Sequence, residues 1–195
     1  GRVQSPNNGR MPPRARVIAA LVTGAGVVGA AGLYWFQPWR LFTDRTVDEA
    51  LPTFAAPTTP DPSGSPAAST PTTEPPPQNV LLASGMIISH EHQSSGSAHL
   101  IRLADGRVQL ALENLATSDG PDLHVWLTDQ PVIEGTAGWH VFDDGRYVEL
   151  GPLKANNGNQ VYDVPPGTDL TGLISVTIWC KRFAVSFGAA RLDPV

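Results

Sequence analysis

The 195-residue sequence holds a single cysteine, Cys180, so no disulfide can close within the chain. It has no Cys-x-x-Cys pair, no Ser-His-Asp order and no nucleophile elbow, which leaves hydrolytic chemistry without support. Basic charge is scarce as well. Residues 80–195 carry seven Lys/Arg against thirteen Asp/Glu, so nucleic acid is excluded as the expected partner. No segment of that region sustains a long helical period, which argues against a helical domain. Long apolar runs are also absent, with one exception near the front.

That exception, "VIAALVTGAGVVGAAGLYWF" at 17–36, runs twenty residues without charge or proline. At ~1.5 Å rise per residue it matches a ~30 Å hydrocarbon core, so the sequence predicts a transmembrane helix and a lipid bilayer as its partner. Gly24, Gly26 and Gly29 have the spacing of a dinucleotide-binding loop, and Asp44 and Asp48 lie about where a ribose-binding acid would. The flanks lack the required strand and βαβ unit, so nucleotide binding is set aside. Arg2, Arg10, Arg14 and Arg16 precede the run, while Tyr34, Trp35 and Trp39 crowd its far end. Positive-inside orientation then keeps residues 1–16 in the cytoplasm and sends the C-terminal part outside, on an uncleaved anchor in the cell membrane. The pairs Ala20/Gly24, Ala25/Gly29 and Gly26/Ala30 allow close approach of a second span, and hence a homodimer. Met11, followed by "PPRAR", would make a compact basic start.

Composition changes after the span. Residues 57–77, "PTTPDPSGSPAASTPTTEPPP", hold eight prolines and little apolar surface, so 37–79 reads as a juxtamembrane segment and a disordered linker. In extended polyproline form, at ~3.1 Å per residue, it would hold the next domain up to roughly 60 Å from the membrane.

Residues 80–195 suffice for one domain. Short alternating runs recur between turn signals: "HLIRLA" and "RVQLALE" around Asp105-Gly106, a pair suited to a type I′ turn, then "DLHVWLTD", "RYVELGPL", "NQVYDVP", "LISVTIWCK" and "FAVSFGAARL". The pattern predicts an all-β fold, an antiparallel sandwich or flattened barrel of about eight strands, with one short helical turn in "TAGWHVFDDG". Alternation places Val176, Ile178 and Cys180 on one face and Ser175, Thr177 and Trp179 on the other. Leu123, Val125 and Leu127 likewise oppose His124 and Trp126. Trp126 and Trp179 are therefore expected to cover an outer, ligand-contacting surface or a second small core.

An exported domain normally pairs its thiols, so Cys180 is free, metal-bound or joined to another molecule. Free cysteine is often a buried small hydrophobe, while Lys181 and Arg182 beside it would favour a thiolate. His90 and His92, at alternate positions, project together if extended and are weak metal candidates, with no third ligand named by the sequence. Asp119 and Asp122 in "SDGPD" read as turn caps.

Four blocks occur in order: "SHEHQSSG" at 89–96, "SDGPDLHVWLT" at 118–128, "ELGPLKANNGNQVYDVPPGTDL" at 149–170 and "SVTIWCKRFAVSFGAARL" at 175–192. Together they resemble the DM-thirteen electron-transfer domain, a small β domain found beside DOMON cytochrome-like domains in animal surface proteins and alone in bacterial envelope proteins. The likeness spans about 82–192. The resemblance implies a redox role for the cysteine after tryptophan, here Trp179-Cys180, and places a histidine before Ser-Gly, here His92 before Ser95-Gly96. The working expectation is that Cys180 lies near His92 and Asp122 and accepts or passes electrons. The resemblance also implies a redox partner protein, and leaves any cofactor unnamed. The competing expectation is a non-enzymatic envelope binding module that uses Trp126 as an outer aromatic and Cys180 as packing.

Overall fold

The computed structural model describes residues 13–54 and 78–195. The expected linker at 57–77 and two of the four N-terminal arginines, Arg2 and Arg10, lie outside the described residues.

Helix α1 runs Pro13–Phe36. Pro13 sits at its start, where a missing N–H costs nothing, and Gln37 at φ 43° follows its last residue. None of its residues is buried, and it is long and apolar enough to span a membrane. Gly24, Gly26 and Gly29 lie inside it with no strand before them, as the exclusion of a dinucleotide loop requires.

The β domain, Arg40–Val195, is a separate unit. Its strands are β1 (Thr46–Asp48), β2 (Val80–Ser89), β3 (Ser95–Arg102), β4 (Val108–Ala116), β5 (Leu123–Thr128), β6 (Tyr147–Pro152), β7 (Asn157–Asp163), β8 (Ser175–Cys180), β9 (Val185–Arg191) and β10 (Asp193–Pro194). They form one curled sheet ordered β1-β7-β4-β3-β2-β9-β8-β5-β6, with β10 also on β2. All pairings are antiparallel except β1 with β7. The predicted all-β, flattened-barrel class therefore holds, with ten strands where about eight were expected.

Strand β2 bends the sheet. Val80–Met86 pair with β3, whereas Ile87–Ser89 pair with β9. Gly85 marks the crossover, because a Cβ there would collide with the Arg191 carbonyl. The curl encloses a core in which Leu100, Leu110 and Leu112 face Val125, Leu127, Val176, Ile178 and Phe187. Cys180 belongs to that core, and Trp126 and Trp179 to a second one with Phe142 and Ala189, so the expected alternation along β5 and β8 is what the structure shows. The β3–β4 hairpin forms around Asp105-Gly106, but by another turn. Gly106 N–H donates to Leu103 O at 2.9 Å, Leu103 N–H donates to Arg107 O at 2.8 Å, and only Gly106 has positive φ, at 87°. This is a three-residue loop with a glycine bulge, which needs one left-handed residue where type I′ needs two. The short helical turn lies at Thr136–Gly138.

Residues 40–54 precede the proline-rich tract and pack on the domain. Buried Asp119 accepts from Thr43 Oγ1 at 3.0 Å and Arg45 at 3.3 Å, with Arg40 at 3.7 Å. Buried Asn156 accepts from Arg45 N–H at 2.7 Å and donates to Asp44 at 2.9 Å and to Thr117 O at 3.0 Å. Gly158, at φ 100°, lets the Val47 carbonyl approach where a side chain would block it. Glu49 closes the strap on Lys154 Nζ and Val161 N–H, each at 2.7 Å. The tract at 57–77 thus stands between β1 and β2 in chain order, inside the domain rather than between it and α1.

Candidate functional site

Cys180 ends β8, where Leu123 of β5 and Val185 of β9 flank it in register. It is wholly buried, with relative exposure of 0%. The chain then turns through Lys181–Ala184, and Ala184 takes φ 48° to reach β9. Burial pushes the thiol pKa up, and the Asp122 charge adds to the rise. Backbone groups of Phe183, Arg182 and Asp122 draw it down without reversing it. With its pKa raised the sulfur stays a protonated thiol at neutral pH, as a buried small hydrophobe would, and Lys181 and Arg182 do not make it a thiolate. Lys181 serves another group: its Nζ lies 3.0 Å from Glu149 Oε2.

Asp122, just before β5, turns its carboxylate to the face opposite the core and meets a chain of polar groups there. Its Oδ1 is 3.1 Å from His124 Nε2. His124 Nδ1 is 2.6 Å from Glu149 Oε1, an ion-pair contact outside the angle of a regular hydrogen bond. The run Asp122–His124–Glu149–Lys181 lies along the surface, with His124 the most buried member between exposed Asp122 and Lys181. Next to it is a polar cavity of about 240 Å³ lined by Arg40, Arg45, Asp122 and His124 among others. A wider cleft, about 720 Å³, lies at the other end of β8, around Leu170–Ile174 and Arg191–Pro194, away from this chemistry.

His92 does not join Cys180 by any recorded contact. Its ring rests on Phe187 at 3.9 Å between centroids, and its Nε2 is 3.1 Å from Glu91 Oε2. His90 lies on the opposite side of β9. Its Nδ1 is 2.8 Å from Ser186 Oγ, and its ring stacks on Phe142 at 5.7 Å. The extended geometry assumed for the pair fails because β2 ends at Ser89 and a bend follows, and because Ser186 and Phe187 point to opposite faces. The paired metal candidate is thereby corrected, and among the described residues no group of three or more His, Cys, Asp or Glu could hold a metal ion. Burial lowers the His90 pKa, the Ile133 backbone opposing it weakly, so His90 is neutral at pH 7.

Trp126 and Trp179, at 3% and 1% exposure, form the second small core rather than an outer surface. The binding-module expectation loses the exposed aromatic on which it stood. Asp119 is a turn cap, with Gly120 N–H on its Oδ1 at 2.9 Å, and also the anchor of the strap. Sequence reasoning missed His124, Glu149 and Lys181 as a connected group. The available signal was His124 two residues after Asp122; Glu149 needed the β5–β6 register, in which it pairs with Trp126.

No curated protein and no solved structure matches the chain. A family model does, the one described as "Electron transfer DM13", over residues 86–192. That stretch contains β3 to β9, Cys180 and the whole Asp122–Lys181 group, and since it covers more than half of the 195 residues, the chain belongs to the Electron transfer DM13 family.

Proposed function

We propose that this chain is a membrane-anchored, extracytoplasmic electron-transfer protein whose redox group is Cys180. The observation that carries the reading is the position of the chain's one thiol, wholly buried at the end of β8 and next in sequence to Trp179. The family description supports electron transfer as the class of activity. A single thiol cannot complete an intramolecular dithiol cycle. Cys180 instead gives one electron to a one-electron acceptor in a partner, breaks its S–H bond and releases the proton to water, leaving a thiyl sulfur and an acceptor reduced by one.

The anchor is α1, with residues 1–16 in the cytoplasm. Its exposed apolar surface and the arginines before it support this placement. Redox titration of the full chain in detergent tests the function. A one-electron couple present in the native chain and lost in Cys180→Ala is the expected result. The same couple in both chains removes Cys180 from the chemistry.

A further inference from the structure

Outside the sulfur site, one group of side chains is not explained by packing alone. Tyr147, at the start of β6, is 43% exposed, and its ring lies face to face with Trp126, 3.9 Å between centroids and 6° from parallel. Trp126 continues to Trp179 at 5.3 Å and 29°. Trp179 is joined to Cys180 by one peptide bond. The three rings therefore make an unbroken π contact from solvent to the residue beside the buried sulfur. The identity of Trp126 is the second observation. Its Nε1–H is buried and has no hydrogen-bond partner, a cost that phenylalanine at this position avoids. An indole kept there against that cost supplies what a phenyl ring does not, a side chain that is readily oxidised by one electron.

We infer that Tyr147, Trp126 and Trp179 form a one-electron path between Cys180 and an acceptor that docks over the exposed phenol ring of Tyr147. The inference rests on the proposed role of Cys180 and adds the route and the docking point. One electron leaves Cys180 Sγ by way of Trp179, Trp126 and Tyr147. The acceptor is reduced by one electron, the sulfur becomes a thiyl radical, and the S–H proton is released to water. The partner is a one-electron acceptor, such as a metal complex or a metalloprotein, with an exposed edge that fits a flat aromatic surface.

The test uses the full chain in detergent and flash-generated ruthenium(III) tris(bipyridine), too bulky to touch a sulfur that is wholly buried. Free Cys180 thiol is titrated after unfolding at intervals following the flash. The thiol is expected to disappear in the native sequence, and to do so at least about tenfold more slowly in Trp126→Phe and in Tyr147→Leu. Thermal melts confirm that each variant is folded, and Tyr147→Leu, at an exposed position, carries the test if Trp126→Phe does not fold. Equal rates in all three chains overturn the path while leaving Cys180 redox-active. An unchanged thiol in the native sequence overturns the path and the Cys180 reading together.

Discussion

Cys180 combines two properties that pull in different directions. It is the single thiol of a chain in an electron-transfer family, and it is packed like a core aliphatic. Burial explains why the flanking cations, legible in the sequence, do not produce a thiolate: desolvation penalises the anion before any charge acts. Alkylation of the native chain at neutral pH should be slow and should become complete on unfolding, as a thiol assay in denaturant would show. Because Asp122 helps to hold the proton on sulfur, Asp122→Asn should move the pH profile of alkylation toward lower pH. Cys180→Ser buries a hydroxyl in apolar surroundings and is expected to cost about 1–3 kcal/mol by urea unfolding. His90 adds a pH term of its own. Its folded pKa lies below the ordinary 6.5, so between those values the unfolded chain binds more protons, and stability falls as pH drops below about 6.5. Melting temperature against pH should show that decline, and His90→Gln should flatten it.

At the scale of elements, β5 and β8 were readable because each has one face for the core and one for the tryptophans, a period of two with no exceptions. Strand β1 was not. "TVD" has three residues, no apolar stripe, and is held by polar side chains of distant elements: Asn156, Asn159 and Lys154. The same reason hid Glu149, whose place beside His124 exists only once β5 and β6 pair. His90 and His92 were misplaced because alternation was extended past Ser89, where β2 stops. A domain trimmed to begin at Asn79 loses the strap and leaves Asp119 and Asn156 buried with partners missing. It should be less stable than one beginning at Arg40, by about 1–3 kcal/mol for each orphaned group, as paired urea unfolding curves would show. Glu49 gives the strap an acid-sensitive clasp: its pKa is lowered first by Lys154 and then by the Val161 N–H. Its contribution is present above the ordinary 4.5 and lost as pH falls through the lower folded value.

For the whole molecule, the order of elements changes what the proline-rich tract does. Asn79 Nδ2 donates to Thr53 O at 2.8 Å, so the described chain leaves and re-enters the domain at nearly one point. In chain order residues 57–77 stand between β1 and β2, two strands of the same unit, where composition alone had suggested a tether from α1. Replacing them by a four-residue Gly/Ser bridge should raise stability by about 1–2 kcal/mol through the smaller closure entropy, measurable as a higher melting temperature. A protease that cuts within this tract breaks the backbone and frees nothing. The stub that carries β1 stays gripped by β7, Asp119 and Asn156, so release of the domain from α1 calls for a cut in the three residues between Phe36 and Arg40.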